Sequence, residues 1–545
     1  MATCGEVLVK LLEAYGVEQV FGIPGVHTVE LYRGLARSSI HHVTPRHEQG
    51  AGFMADGYAR TRGKPAVCFI ITGPGMTNIT TAMGQAYADS IPMLVISSVQ
   101  SRSQLGGGRG KLHELPDQRA LVAGVAAFSH TLMSAAELPS VLARAFAVFQ
   151  AGRPRPVHIE IPLDVLVENA DALLSSQPVN IARPGAAPAA IEQMSLRLIE
   201  AKRPLILAGG GAVDAAGALL QLAEHLGAPV ALTINAKGML PSSHPLLIGS
   251  TQTLAATRAL VAEADVVLAI GTELAETDYD VTFAGGFEIP GALLRIDIDP
   301  DQTVRNYPPT LALVADAQLA AEALLARLST QVLPERLADW GAERAGRLNM
   351  QLAATWDAPI RAQTHFLQTV FEVLPQAVCV GDSTQPVYTG NLTFNPEHPR
   401  RWFNSSTGYG TLGYALPAAI GAWLGRCVDG QPAGPVLCLI GDGGLQFTLP
   451  ELASAVEART PIIVLLWNNQ GYGEIKKYML NRGIEPVGVD IYTPDLIGAA
   501  KALGCTALAV EGEAQLRAAL ASAVDRQGPT VIEIDEQHWQ QTFAL

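Results

Sequence analysis

Paired cysteines, an excess of basic residues and long apolar runs are all missing from this chain, and each absence closes a class of function. The six cysteines among the 545 residues stand at 4, 68, 379, 427, 438 and 505, with no Cys-x-x-Cys spacing. A disulfide framework or dithiol motif is therefore not expected, and Cys68 and Cys438, inside apolar runs, read as reduced core residues. Lysine and arginine number 37 against 51 aspartates and glutamates, a net charge of −14. That balance argues against a nucleic-acid partner and is ordinary for a soluble enzyme. The N-terminus, Met1 to Glu6, has no basic region leading into an apolar run, so no signal peptide is expected. No apolar stretch reaches the ~18 residues of a membrane span without a charge or turn residue. No membrane partner is expected, and the expected compartment is the cytoplasm. What the chain does hold is apolar bulk: 48% hydrophobic residues against 16% charged. That is enough for a large core, over a length that suggests about three domains.

Strands and helices alternate from the start. Residues 5–15 and Val29–Leu35 read as helices, Gln19–Gly22 and His41–Thr44 as strands. Arg46–Gly52 opens a further helix, and Ala66–Ile71, Met93–Ser97 and Val157–Ile161 are apolar strands. An Ala- and Pro-rich linker at 176–190 precedes a second alternating region, with strands at Pro204–Ala208, Pro229–Leu232, Val266–Ile270 and Leu293–Ile298. Residues 331–360 read as a helical connector. The pattern predicts an α/β protein of three doubly wound parallel-sheet domains, at 1–175, 190–330 and 360–535.

Pro435–Gly471 holds the densest chemistry. Two all-apolar runs, 435–440 and 461–467, read as buried parallel strands, and Leu449–Ala458 between them has helical periodicity. A right-handed crossover opens the carboxyl ends of both strands on one edge, where Asp442 and Asn469 then stand. Both are hard oxygen donors. The turn Gly441-Asp442-Gly443-Gly444 lets backbone N–H groups approach an anion. Oxygen ligands beside a phosphate cradle suit Mg²⁺. An ordinary β-α-β turn with a capping Asp explains Gly-Asp-Gly alone, but not its pairing with Asn468-Asn469-Gln470-Gly471 on the next strand.

That pairing resembles the thiamine diphosphate (ThDP) signature of the acetolactate synthase and 2-oxoacid decarboxylase family. Arg46–Arg60 (RHEQGAGFMADGYAR), Thr72–Asn78 with its Gly73-Pro74-Gly75, Asp89–Ser97 (DSIPMLVIS) and Gly408–Ala419 (GYGTLGYALPAA) are similar to the family's other segments. The resemblance implies Mg²⁺ on Asp442, Asn469 and the Gly471 carbonyl, with Gly73, Gly443 and Gly444 in loops around the cofactor. It implies that Glu48 bonds N1′ of the aminopyrimidine ring, so that the ring can take the C2 proton of the thiazolium. Taken alone, Glu48 compensates a helix N-terminus. By the same resemblance Leu412 props the bent cofactor and the Gly410 carbonyl accepts from its 4′-amino group. Asp382 and Ser383, at a strand end, are candidates for the diphosphate oxygens or members of an Asx turn.

Two departures from the family stand out. Val26 follows Gly25, where pyruvate decarboxylases carry Asp, and Leu112-His113-Glu114 replaces the Phe-Gln-Glu of acetolactate synthases. His113 is a candidate proton relay. Gly209-Gly210-Gly211 after a strand is compatible with FAD, although a lone Gly triplet is a weak pattern. The run from Phe21 to His130 looks most like the branch that decarboxylates 5-guanidino-2-oxopentanoate (2-ketoarginine). A cationic tail would call for a carboxylate, and Glu474, just past the metal ligands, is the candidate; pairing with Lys476 or Lys477 is its plain alternative. A carboligase acting on pyruvate, and a flavoprotein or non-catalytic relative, are the competing readings. In this family the two halves of each site come from different subunits, so a homodimer or homotetramer is implied.

Overall fold

The computed structural model describes residues 1–279, 287–333, 337, 339–428 and 431–544. Three six-stranded sheets carry the chain. The first has β1 (Gln19–Gly22), β2 (His41–Val43), β3 (Ala66–Ile70), β4 (Met93–Val99), β5 (Phe128–Thr131) and β6 (Val157–Pro162), in the order β2-β1-β3-β4-β6-β5. The second has β7 (Pro204–Ala208), β8 (Val230–Leu232), β9 (Leu247–Gly249), β10 (Val266–Ile270), β11 (Ala292–Asp297) and β12 (Leu311–Val314), ordered β12-β11-β10-β7-β8-β9. The third uses β13 (Val378–Gly381) and β14 (Trp402–Asn404). After the short ribbon β15 (Cys427–Val428) and β16 (Gln431–Pro432), it adds β17 (Val436–Gly441), β18 (Ile463–Asn468), β19 (Thr506–Val510) and β20 (Thr530–Asp535). Its order is β14-β13-β17-β18-β20-β19. Central strands such as β3 and β17 are apolar and buried on both faces, as a parallel sheet flanked by helices requires.

The chain divides into two compact units. One comprises Met1–Ile181, Val370–Thr384 and Asn404–Trp539, and so holds the first sheet and most of the third; the other comprises Ala182–Thr369, Gln385–Phe403 and Gln540–Leu545. In the second unit the Gly209–Gly211 triplet serves close packing. A Cβ on Gly209 would lie 2.2 Å from the Gly271 carbonyl oxygen, and one on Gly211 3.1 Å from it. The segment after the triplet is a 3₁₀ turn, Gly210–Ala215.

Six helices of the first unit carry or flank the candidate site residues: α1 (Glu48–Arg62), α2 (Pro74–Ala88), α3 (Ala415–Arg426), α4 (Asp442–Thr448), α5 (Glu451–Glu457) and α6 (Gly473–Asn481). Helices α1 and α3 pack backbone to backbone through small residues. A Cβ on Gly421 would sit 1.8 Å from the Met54 carbonyl oxygen, and one on Gly57 1.9 Å from that of Ala418. The helix expected over Leu449–Ala458 is α5, and a further helix, α4, precedes it. Gly441 is the N-cap of α4, so Asp442-Gly443-Gly444 is that helix's own first turn, and Pro450, which has no N–H to donate, separates α4 from α5.

Candidate active site

Strands β17 and β18 pair in parallel from Leu437↔Ile463 to Gly441↔Trp467, which brings their carboxyl ends to one edge. There Asn469 N donates to Asp442 Oδ1 (3.3 Å) and Thr493 Oγ1 donates to Oδ2 (3.0 Å). Burial pushes the Asp442 carboxyl above its ordinary pKa, and these two bonds work against the shift. Gly471 has φ +153°, and a Cβ there would fall 2.4 Å from the Val489 carbonyl oxygen, so only glycine serves. A Cβ on Gly443 would lie 2.8 Å from the Tyr472 ring and 3.8 Å from Gly471 O. The bare glycine therefore faces that carbonyl. Asp442, Asn469 and Gly471 thus stand on neighbouring loops, and a carboxylate, a carboxamide and a backbone carbonyl are the kind of oxygen donors that could hold Mg²⁺.

Asp382 bonds to backbone donors. It is fully buried, and its oxygens accept from Ser383 N and Ala415 N, both at 3.0 Å. Burial pushes its pKa up to about 6 against those backbone donors. Its carboxylate anchors the start of α3, and a Cβ on Gly444 would lie 2.8 Å from its Oδ1. Asp382 therefore holds the loop of Gly410 and Leu412 and the Gly444 turn rather than turning to a ligand. Ser383 Oγ faces Ser405 Oγ at 3.4 Å. The same loop is tied to the first domain. Asp89 Oδ2 accepts from Arg60 Nη2 (2.6 Å), Gln85 Nε2 (2.8 Å) and Thr407 Oγ1 (3.0 Å), while Gln85 Oε1 accepts from Thr411 Oγ1 (2.8 Å). Tyr414 OH donates to Asp56 Oδ1, to which Arg60 Nε also donates. Gly410, exposed at φ +76°, rides on this buried network.

Glu48 is the first residue of α1, after the N-cap His47, and is buried. Asn78 Nδ2, one turn into α2, donates to Glu48 Oε2 (2.9 Å). Oε1 lies 3.3 Å from where a Cβ of Gly75 would be, so the Gly73-Pro74-Gly75 loop leaves that oxygen room. Gly73 has φ +72°, and a Cβ on it would meet the His113 carbonyl oxygen at 2.6 Å. Beneath this loop the buried Gln118 is a hub. Its Oε1 accepts from Thr72 Oγ1 (2.8 Å) and Gly73 N (3.0 Å), and its Nε2 donates to Ser97 Oγ, Ser98 O and Glu160 Oε2. His113 is set in the left-handed region at φ +62°, its ring edge-on to His27 with centroids 5.3 Å apart. Nδ1 of each ring is buried without a hydrogen-bond partner in the described protein. Burial and the neighbouring His113 hold His27 below its ordinary pKa.

Glu474 is exposed in the first turn of α6, and Lys476 pairs with Asp490 (2.7 Å). Glu114 is used by its own loop, accepting from Arg109 N (3.3 Å) and Lys111 N (2.9 Å). No hydrogen bond among the described residues joins Glu48 to the Asp442–Asn469 group. Sequence reasoning missed Asn78, Thr493 and Gln118. Asn78 closes the segment Thr72–Asn78, four residues beyond Pro74 on the same helical face, whereas Thr493 lies in a loop without periodicity.

Known proteins resemble this chain over most of its length. Models of the thiamine pyrophosphate (ThDP) enzymes match residues 2–121 (N-terminal TPP binding domain), 191–324 (central domain) and 382–534 (C-terminal TPP binding domain). The chain is 47% identical to "Probable 2-ketoarginine decarboxylase AruI" of Pseudomonas aeruginosa, over 98% of this chain and 94% of that protein. It is 32% identical to the acetolactate synthase isozyme 1 large subunit of Escherichia coli, over 98% and 93%. A crystal structure from Mycobacterium smegmatis, assigned to the thiamin diphosphate-dependent enzymes, shares the fold with a TM-score of 0.81. That match has 24% identity and covers 98% of this chain and 99% of the other.

Proposed function

Because the chain belongs to the thiamine pyrophosphate enzyme family, we propose that it decarboxylates a 2-oxo acid non-oxidatively with ThDP and Mg²⁺, and that this acid is 5-guanidino-2-oxopentanoate, giving 4-guanidinobutanal and CO₂. The full-length similarity to a protein named for 2-ketoarginine carries the substrate; the loops of Glu48 and of Asp442 support the cofactor. ThDP, when bound, supplies the electron sink for the carbanion left as CO₂ departs. Asp442, Asn469 and the Gly471 carbonyl would hold the metal that neutralises the diphosphate, at the start of the helix that carries Gly443 and Gly444. Glu48, steadied by Asn78, shares a proton at N1′ of the aminopyrimidine. Leu412 and the Gly410 carbonyl, fixed through Asp382 and Asp89, set the ring's position, since proximity of the two rings is what the reaction needs. His113, with His27 beside it, handles the proton that ends up on the aldehyde carbon.

We further infer that two copies build each site. Glu48 and Asp442 belong to different domains with no bond between their groups. Val26, Leu112, Phe447, Ile475, Leu480 and Val487, all at least half exposed, fall on the segments that carry the site residues. Exposed apolar residues on these segments fit a surface that a second copy covers. Glu474 lies among these residues, and covering it would put its carboxylate in a drier setting, where a guanidinium binds it more strongly.

A panel of 2-oxo acids, assayed for CO₂ and aldehyde, tests the substrate. 2-Ketoarginine is expected to exceed pyruvate in kcat/KM by at least about tenfold, because its guanidinium adds a hydrogen bond to a charged group, worth roughly 1.5–3 kcal/mol, that pyruvate cannot make. If pyruvate is the better substrate and yields acetolactate, the carboligase reading replaces this one.

A further inference from the structure

We propose that Glu451 is a positioning residue for Glu48: its carboxylate, delivered by α5 of the C-terminal domain, fixes the backbone turn on which Glu48 stands. Glu451 Oε1 accepts from Arg46 N (3.0 Å) and His47 N (3.1 Å), the two residues immediately before Glu48. Its Oε2 accepts from Ser454 Oγ (2.6 Å), which sets the carboxylate plane. Glu451 is 1% exposed. Gly50 is what lets it in, since a Cβ at that position would lie 2.2 Å from Oε1. Three features of the sequence therefore meet at one point: a buried glutamate, a glycine two residues after Glu48, and two backbone N–H groups ahead of α1. Bonds from backbone N–H groups to a carboxylate are charge-assisted and hold geometry well. The adjoining N-cap bond, Gln49 N to His47 Nδ1 (3.1 Å), depends on the same turn. Asn78 thus fixes the Glu48 side chain, and Glu451 fixes the backbone beneath it. The inference rests on the role proposed for Glu48 at N1′.

The test uses the full-length protein. Glu451→Ala should slow hydrogen–deuterium exchange at C2 of bound ThDP by about 10- to 100-fold, the scale of a displaced catalytic group, with ThDP affinity changed by no more than about threefold. In the cofactor-free protein, the amides of residues 46 and 47 should lose protection from hydrogen exchange. Glu451→Gln keeps a carbonyl that can accept both bonds and an amide that can donate to Ser454, and so should restore the C2 exchange rate and the protection. Should Glu451→Ala fail to fold, Gly50→Ala, which displaces the carboxylate without removing it, should show the same slowing. Unchanged exchange in Glu451→Ala or Gly50→Ala would overturn the proposal, as would Glu451→Gln behaving like Glu451→Ala. Glu48→Gln separates the two levels. If it leaves C2 exchange unaltered, the reading of Glu48 itself fails; if it slows exchange while Glu451→Ala and Gly50→Ala do not, only the role of Glu451 fails.

Discussion

At the scale of single residues, the site divides into groups proposed to touch a ligand, Asp442 and Glu48 among them, and groups that hold them in place. Asp382, Asp89 and Gln118 belong to the second kind, bonded to protein donors. The division decides what substitutions do. Asp442→Ala removes the charged oxygen ligand and should abolish retention of ThDP with Mg²⁺ while leaving the fold intact. Gel filtration followed by cofactor assay checks it, and normal occupancy would refute the assignment. Glu48→Gln keeps the shape but cannot share the proton, so ThDP should stay bound while C2 exchange slows by orders of magnitude. The residues proposed to touch a ligand could be named from the sequence because each stands in a short motif at a strand end or helix start. The holding residues were not. Thr493 is 51 residues from the Asp442 it bonds, and Glu451 is 405 from Arg46. Asp382 was legible as a polar residue at a strand end, but which way its carboxylate turned depended on the unseen approach of Ala415.

Elements divide in a similar way. Most central strands of the sheets were readable from all-apolar runs. Of the unread strands β5, β9, β12, β14, β19 and β20, all but β20, whose run Thr530–Asp535 is broken by Glu533, lie at sheet edges. An edge strand is short or half solvated and needs no continuous apolar run, as the partly exposed β5 and β12 show. The join of α1 to α3, invisible in the sequence, is the element-level support of the site. Gly421→Ala forces a methyl group into the Met54 carbonyl and should push the helices apart, destabilising the protein by roughly 1–3 kcal/mol. Gly217→Ala, in the helix Ala216–Leu226 where nothing lies within 4 Å, should be neutral or stabilising by about 0.5 kcal/mol. Thermal unfolding distinguishes them: equal shifts in Tm would contradict the close packing of α1 and α3.

For the whole molecule, the central claim is that one ThDP site takes Glu48 from one copy and Asp442 from another. Subunit mixing tests this most directly. Glu48→Gln and Asp442→Ala each disable one half of the site, and each should be inactive alone. In a hybrid dimer one site carries both lesions and the other carries neither. An equal mixture that exchanges subunits freely should therefore recover about a quarter of wild-type activity, because half of the dimers are hybrids with one of two sites intact. No recovery at any mixing ratio, with hybrid formation verified by native mass spectrometry, would contradict a site shared between copies.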